Sequence, residues 1–324
     1  MNPPMRVFRS LDEVPPDFGP SALTIGNFDG VHAAHRRILR RVKEVAVERG
    51  FKPSALTFNP HPSKVVAPAR APRLMTAPEQ RCALMQAEGI QQVLILPFDQ
   101  HVAHLTPEQF VEQVLVQKLD VRAIVLGHDF RFGYKQSGNV QVLTELGHKY
   151  GFTTEEVNAV TVRGRLVSST ALRQLIEAGL VAQAARLLER PYALDGEVVA
   201  GHGVGSKQTV PTLNLAANTE VLPATGVYVT RTHDLENDRV WPSVTNVGYR
   251  PTFGDNHELS IETFLLDPLN GETPRRIRVE FLWRVRPERQ FPDAQALKQQ
   301  ILGDAARAQA YFRRVEKWTC RSMS

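Results

Sequence analysis

The sequence predicts an α/β plus β fold: an N-terminal domain with a parallel sheet, then an antiparallel β-barrel that ends in a long helix. The 324 residues, 42% of them hydrophobic, supply enough material for two cores. In the first half, short apolar runs alternate with amphipathic helical patterns, as in doubly wound parallel sheets. In the second half, strand-like segments are separated by Gly, Pro, Asn and Asp, as in antiparallel barrels or sandwiches. We place the boundary at residues 186–191, which predicts domains over residues 1–188 and 189–324.

The N-terminal half is predicted to contain buried strands joined by helices. Continuous apolar runs predict strands at residues 22–25, 55–58, 93–96 and 123–126. Residues 33–48 carry their apolar side chains on one helical face, and Gly50 ends that helix. Thr106, Pro107 and Gln109 form a capping-box pattern, which predicts the start of another helix.

The C-terminal half is predicted to consist of strands followed by one helix. The strand-like segments are residues 194–200, 227–230, 240–247, 259–266 and 277–283. Asp293 is a suitable N-cap residue, and the helical pattern after it runs towards Trp318. This half is therefore predicted to be an antiparallel β-barrel with a long terminal helix.

Composition restricts the possible partners and location. The net charge is +5, and a basic chain suits phosphate-bearing ligands, although a generic basic surface explains the same number. The sequence has no basic repeat interleaved with aromatic residues, so we expect no nucleic-acid partner. It has no signal-peptide pattern, its apolar runs are far shorter than a membrane span, and Cys82 and Cys320 lack metal-ligand spacing. We therefore expect a cytoplasmic protein with no membrane partner, either a monomer or a weak homo-oligomer.

The first chemical pattern follows the first apolar run. Gly26 and Gly30 permit a tight turn at the carboxyl end of a strand, where open parallel sheets bind ligands. His32 and His35 are three residues apart at the start of the following helix, so both face the same way. Helix amides and two imidazoles around one point predict a phosphate site. Two alternatives stay open from these residues alone, namely a solvated turn and a two-histidine metal site.

Three further strings lie at the ends of later elements. They are Thr-Phe-Asn-Pro-His-Pro at residues 57–62, Leu-Gly-His-Asp-Phe-Arg-Phe-Gly at 126–133 and Val-Ser-Ser-Thr-Ala-Leu-Arg at 167–173. In this order and spacing, together with residues 26–35, they resemble the FMN adenylyltransferase module of bacterial bifunctional FAD synthetases. The resemblance implies a Rossmann-like nucleotidylyltransferase domain that adenylylates FMN with ATP.

The same resemblance implies roles for individual residues. His32 and His35 would stabilise the α-phosphate of ATP during catalysis. The residues implied in ATP binding are Gly26, Asn27, Phe28, Asp29, His32, His35, Ser168, Ser169, Thr170 and Arg173. Those implied in FMN binding are Asn59, Pro60, His61, Asp129 and Arg131. The chain departs from the family at Ala34, where the family has glycine, and the added methyl group is expected either to be tolerated or to weaken adenylylation.

The second chemical pattern is a glycine-rich loop at residues 201–214. It is not a Walker A P-loop, because Ser206 separates the last glycine from Lys207. The loop resembles that of riboflavin kinases, which ends in Pro-Thr-x-Asn. The resemblance implies that Thr212 and Asn214 ligate Mg²⁺ together with the ATP phosphates, a role that suits hard oxygen ligands. Without that context, Pro-Thr-Leu-Asn is an ordinary turn into a strand.

Further strings extend the resemblance to riboflavin kinases as far as residue 312. Residues 246–254 read Asn-Val-Gly-Tyr-Arg-Pro-Thr-Phe-Gly, and Glu262 lies in a segment like the one that bears the family's catalytic glutamate. Glu262 is therefore implied as the general base, and its alternative is an exposed glutamate on an alternating strand. Ser206 and Thr209 depart from the family's pattern, so weaker ATP binding is expected. The residues implied in binding the ATP phosphates are Gly203, Gly205, Lys207, Thr212 and Asn214, and those implied in binding flavin are Arg286 and Glu288.

The sequence thus predicts a transferase that phosphorylates riboflavin to FMN and adenylylates FMN to FAD, with ATP as co-substrate, Mg²⁺ as cofactor and pyrophosphate as a product. Its ligands would be riboflavin, FMN, FAD and ATP. Two alternatives stay open: a riboflavin kinase in which Ala34 has weakened or abolished adenylylation, and a non-catalytic regulator that binds flavin or nucleotide. The presence of Glu262 and both histidines counts against the regulator, because binding alone needs no base.

Overall fold

The chain divides into two compact units, Met1–Ser169 and Thr170–Ser324. The computed structural model describes residues 4–199, 212–251 and 257–322. Each unit has its own sheet and its own hydrophobic clusters. The domain boundary predicted between residues 188 and 189 stays a prediction.

The first unit is built on a parallel sheet, as the sequence predicts. Its strands are β1 (Arg6–Phe8), β2 (Ser21–Ile25), β3 (Lys52–Asn59), β4 (Gln92–Pro97), β5 (Val121–Gly127) and β6 (Thr153–Val157). The strand order is β1-β4-β3-β2-β5-β6, and all neighbours are parallel. The edge strands β1 and β6 were not predicted, because they are short or polar and lack the apolar run of a strand covered on both faces.

Helices and short turns connect these strands. They are α1 (Ala33–Arg49), α2 (Pro62–Val66), a 3₁₀ turn (Pro68–Arg70), α3 (Pro78–Ala87), α4 (Gln100–His104), α5 (Pro107–Phe110), a π-helical segment (Val111–Val116), a second 3₁₀ turn (Tyr134–Gln136) and α6 (Val140–Tyr150). A small hairpin of β7 (Thr161–Val162) and β8 (Arg165–Leu166) follows. The predicted capping box of Thr106 and Gln109 is confirmed, and so is the end of α1 at Gly50, whose φ is 70°.

Two hydrophobic clusters cover opposite faces of the sheet. Ala22, Ala55 and Val93 pack with the buried face of α1. Their sequence neighbours Leu23 and Leu56 pack on the other face of the sheet, with α5 and the π-helical segment that follows it. Successive residues of a strand point to opposite faces, so this alternation shows helices on both sides. The doubly wound architecture is therefore confirmed.

The second unit is a closed antiparallel barrel, which is also as predicted. Its elements are α7 (Ser169–Glu177, which begins at the last residue of the first unit), α8 (Val181–Leu188), β9 (Tyr192–Val199), β10 (Thr212–Ala217), β11 (Gly226–Asp234), β12 (Val240–Pro251), β13 (His257–Leu265), β14 (Arg276–Pro287) and α9 (Ala294–Ser322). The strands close in the order β10-β13-β12-β11-β14-β9. Asp293 caps α9, as predicted, by accepting a hydrogen bond of 2.7 Å from the Ala296 amide.

Helix α9 covers one outer face of the barrel. Ala308 of α9 is buried among Val227, Val229 and Val244 of β11 and β12. Alternate residues of β11, β12 and β13 point into the barrel, where their hydroxyl groups bond to one another over 2.8–2.9 Å: Thr230, Thr232, Ser243, Thr245 and Thr263. The barrel interior is therefore partly polar but hydrogen-bonded, while its apolar outer face is covered by α9.

Candidate functional site

The first candidate site lies at the carboxyl ends of the central parallel strands. Strand β2 is flanked by β3 and β5, so the segments after these three strands share one edge of the sheet. Residues 26–32 follow β2, Asn59 ends β3, and residues 128–131 follow β5. This edge is where open α/β sheets bind ligands, so three of the four predicted strings meet at the expected place.

The two histidines form a compact pair at the start of α1. His32 is the N-cap residue, and its Nδ1 accepts a hydrogen bond of 3.4 Å from the His35 amide. Their rings stack with centroids 3.7 Å apart, and Phe28 packs edge-on against His35 at 5.1 Å. The pair therefore stands beside the positive end of a helix, an arrangement that suits an anion such as phosphate. Ala34 lies between the two histidines in the first turn of α1.

The side chain of Asp29 stabilises the loop of residues 26–32 through hydrogen bonds. This side chain is buried, and Oδ1 accepts hydrogen bonds from the amides of Met75 at 2.9 Å and Thr76 at 3.1 Å and from the Thr76 hydroxyl at 3.2 Å. The Thr76 hydroxyl in turn accepts from the Gly30 amide at 3.0 Å. Asp29 was predicted to bind ATP; the contacts described here tie the loop to the segment before α3, and contact with ATP stays a prediction.

Arg81 contacts the loop of this candidate site and was not among the residues that the sequence predicted. It lies on α3, is only 4% exposed, and its Nη1 donates to the Asn27 carbonyl oxygen at 2.8 Å and to Thr57 Oγ1 at 3.1 Å. Burial lowers the pKa of Arg81, and the nearby Asp29 carboxylate partly offsets this. An isolated arginine in a short helix carries no motif, so only its position under the loop identifies it.

The string at residues 167–173 lies partly in the first unit and partly in the second. Ser169 Oγ donates to the Asp29 carbonyl oxygen at 3.2 Å, and Ser168 is half-buried next to it. The string was predicted to begin a helix, and α7 does begin at Ser169. Thr170 is exposed and Arg173 half-buried on α7, within the second unit. Their contact with ATP phosphates stays a prediction.

The predicted FMN-binding residues lie at the end of β3 and in the segments that follow β3 and β5, at the same sheet edge. Asn59 and Pro60 are exposed, and His61 caps α2 by accepting a hydrogen bond from the Ser63 amide at 3.2 Å. Asp129 and Arg131 are also exposed, which leaves their charged groups open to a ligand. Their roles stay predictions.

The second candidate site is a row of polar residues on the barrel. Asn214 of β10 lies directly opposite Glu262 of β13, and Glu262 lies directly opposite Asn246 of β12. Cβ atoms of directly opposed residues in antiparallel strands are about 4.5–5.5 Å apart, so the three side chains are neighbours on one face. That face also carries Val227, which packs beneath α9, because Val227 is opposite Asn246. Asn246 belongs to the string at residues 246–254 that resembles riboflavin kinases, and no role was predicted for it.

The same row ends at Arg286, which is opposite Val227. The Arg286 Nε donates to the buried Asp304 carboxylate of α9 at 2.9 Å. Near the same row, a Cβ atom added at Gly248 would overlap the Glu288 carboxylate and come within 3.0 Å of Asn246 Nδ2. Glycine at position 248 therefore makes room for Glu288 beside Asn246. Flavin binding by Arg286 and Glu288 stays a prediction.

Several predictions concern residues that the structure does not describe. Gly203, Gly205 and Lys207 lie outside the described ranges, whereas Thr212 is exposed at the start of β10. Over residues 4–199, 212–251 and 257–322, no group of three or more His, Cys, Asp and Glu side chains is arranged to hold a metal ion. In the same ranges, none of the helices has both the length and the apolar character that crossing a membrane requires.

Comparisons with known proteins match both units. Residues 15–171 match the family described as FAD synthetase, and residues 188–312 match the family described as riboflavin kinase. The bifunctional riboflavin kinase/FMN adenylyltransferase of Pseudomonas fluorescens is 36% identical over 94% of this chain and 97% of the relative. Its counterpart in Escherichia coli K12 is 34% identical over 90% of this chain and 92% of the relative. A solved structure described as a macrolide-efflux protein from Streptococcus pneumoniae superposes with a TM-score of 0.80 at 25% identity, covering 94% of this chain and 98% of that one.

The Arg286–Asp304 ion pair generates a stability prediction. Replacing Arg286 with methionine leaves the buried Asp304 carboxylate without its close cation, so we expect the free energy of unfolding to fall by about 3 kcal/mol. Arg307→Met is the matched control, because Arg307 is mostly exposed and lies 3.9 Å from the same carboxylate. We expect this control to change stability by less than about 0.5 kcal/mol. Urea unfolding of both variants checks this, and equal effects would contradict it.

Proposed function

The chain belongs to the bifunctional riboflavin kinase/FMN adenylyltransferase family, and from that premise we propose that its two units carry out two successive ATP-dependent transfers. The second unit phosphorylates riboflavin to FMN, and the first unit adenylylates FMN to FAD. The observation that carries this proposal is that each unit gathers residues that the proposal assigns to its reaction: the histidine pair at the sheet edge in one, and the row centred on Glu262 in the other. A cytoplasmic location, inferred from the sequence, is part of the same proposal.

Glu262 is the general base of the kinase reaction in this proposal. The 5′-hydroxyl of the ribityl chain loses its proton to the Glu262 carboxylate as its oxygen attacks the γ-phosphorus of ATP. The bond from the γ-phosphorus to the bridging oxygen breaks, and ADP leaves. Asn214 and Asn246 flank Glu262 on neighbouring strands, which supports a fixed position for the carboxylate.

Mg²⁺ belongs to the kinase site in this proposal. Thr212 and Asn214 are two residues apart on β10, so their side chains project from the same face of the strand. A hydroxyl and an amide oxygen are hard donors of the kind that Mg²⁺ accepts beside phosphates and water. The ion, when bound, would neutralise negative charge on the phosphates.

The adenylylation needs positioning and charge neutralisation rather than a protein nucleophile. An oxygen of the FMN phosphate attacks the α-phosphorus of ATP, the bond to the bridging oxygen of the β-phosphate breaks, and pyrophosphate leaves. His32, His35 and the first amides of α1 are assigned to the negative charge that accumulates on the α-phosphate, and the position of the stacked rings at the N-terminus of α1 supports this assignment. The hydroxyls of Ser168 and Ser169 are assigned to the leaving pyrophosphate.

The experiment that tests the function is chromatographic separation of flavins after incubation of the protein with Mg²⁺ and ATP. We expect riboflavin to yield FMN and FAD, and FMN supplied alone to yield FAD. A reaction that stops at FMN would support the alternative of a kinase without adenylylation and would direct attention to Ala34. Formation of neither product would overturn the proposal and leave the non-catalytic regulator as the better description.

The role of Glu262 predicts a selective loss. Glu262→Gln keeps the shape of the side chain but removes the base, so FMN formation should fall by about 10²–10⁴-fold. Conversion of FMN to FAD by the same sample should be unchanged, and this second activity serves as the internal control. Normal riboflavin phosphorylation by the variant would exclude Glu262 from the base role.

The role of His32 predicts the reciprocal pattern. His32→Ala removes one imidazole and the N-cap acceptor of α1, so FAD formation from FMN should fall by at least about tenfold, while FMN formation is retained. Initial rates of both reactions, measured on one preparation, check this. Unchanged adenylylation would contradict the assignment of phosphate binding to the histidine pair.

A further inference from the structure

We propose that Arg81 is a positioning residue for adenylyl transfer, because its buried guanidinium fixes the loop that presents the phosphate site. The inference rests on the proposed adenylylation by the first unit and adds to it a residue outside the strings that indicate that activity. Arg81 is not placed against substrate; it acts through the backbone of residues 26–30.

The contacts of Arg81 join three elements under the loop. Its Nη1 donates to the Asn27 carbonyl oxygen at 2.8 Å and to Thr57 Oγ1 at 3.1 Å, while Thr57 Oγ1 itself donates to the Asn27 carbonyl oxygen at 3.2 Å. These bonds form a closed triangle between the loop after β2, the strand β3 and the helix α3. The Asn27 carbonyl oxygen thus accepts hydrogen bonds from Thr57 of β3 and from Arg81 of α3. Arg81 is the residue that connects α3 to this loop.

A second set of bonds holds the loop on the other side of Phe28. The Asp29 carboxylate accepts from the amides of Met75 and Thr76, and the Gly30 amide donates to the Thr76 hydroxyl. Phe28 lies between the two sets with a φ of 48°, a backbone conformation that L side chains rarely adopt. Such a conformation persists only where its surroundings hold it, and the two sets of bonds are part of those surroundings.

The chemistry of the buried group favours a functional role. Burying a charged side chain is unfavourable, and an apolar side chain of similar size would fill the same space without that penalty. A guanidinium offers what an apolar group cannot, namely donors in a fixed planar arrangement that orient a backbone carbonyl. The loop it orients leads within five residues of Asn27 to His32, the N-cap of α1. Loss of Arg81 should therefore misplace the histidine pair and the amides beside it.

The experiment compares three variants of the full chain. Arg81→Met removes the donors, Arg81→Lys keeps one charged donor, and Leu143→Ala removes a fully buried side chain of α6 as a control for destabilisation. For each variant, kcat and KM for ATP are measured in FAD formation from FMN at 25 °C, together with FMN formation and the unfolding temperature. Hydrogen exchange of the amides of residues 26–31 reports directly on the loop.

We expect Arg81→Met to lower kcat/KM for ATP in adenylylation by about 10²-fold, the scale expected when reacting groups are misplaced by about 1 Å. Arg81→Lys should recover adenylylation to within about tenfold of the wild-type chain. Exchange of the Gly30 amide should accelerate in Arg81→Met, and riboflavin phosphorylation should be unchanged. Leu143→Ala should lower the unfolding temperature but keep adenylylation at 25 °C.

Three outcomes would contradict the inference, and the measurements tell them apart. If the wild-type chain makes FAD and Arg81→Met makes it equally well, the positioning role is wrong and the proposed function stands. If Leu143→Ala loses as much adenylylation as Arg81→Met, the effect is one of stability and the positioning role is again wrong. If the wild-type chain makes no FAD from FMN, the proposed function of the first unit fails first, and the inference fails with it.

Discussion

Burial of the central strands on both faces is the constraint on which the first unit depends. Because Ala22 and Leu23 of β2 pack into clusters on opposite sides of the sheet, helices must cover both faces, and the connections make the strands parallel. Parallel strands bring their carboxyl ends to one edge. The loop after β2, Asn59 and the segment after β5 meet there although they are distant in sequence. The candidate phosphate and flavin loops thus share an edge as a consequence of how the core is buried.

In the second unit, strand register rather than strand direction brings the residues of the candidate site together. Closure through the pairing of β9 with β10 fixes which residue lies opposite which, and a shift of one residue would turn Glu262 to the other face. The inward hydroxyls of Thr245 and Thr263 bond to each other at 2.9 Å, immediately beside the Asn246–Glu262 pair. This interior contact supports the register that places the polar row outside.

Buried charges stabilise both units only because they are paired or hydrogen-bonded. Asp195 accepts two bonds of 2.7 Å from Arg278, and this raises the pKa of Arg278. Asp304 is held by Arg286, whose Nε and Nη2 both lie 2.9 Å from Oδ2 of that carboxylate. In the first unit, by contrast, Asp29 and Arg81 are bonded mainly to backbone and hydroxyl groups on either side of one loop. Charges used in this way orient the chain rather than simply neutralise one another.

The sequence by itself predicted the two architectures, which the structure confirms, and it indicated a chemistry for the two sites that stays a prediction. Continuous apolar runs predicted the strands at 22–25, 55–58, 93–96 and 123–126, and helical periodicity predicted the helix that begins at Ala33, because burial leaves a local pattern of residue types. Edge strands β1 and β6 were missed, because strands that are not covered on both faces need no such pattern. Only the tertiary structure placed Arg81 under Asn27 and Asn246 opposite Glu262. These contacts join residues far apart in the chain, and strand pairing and helix packing, rather than local composition, decide which of them meet.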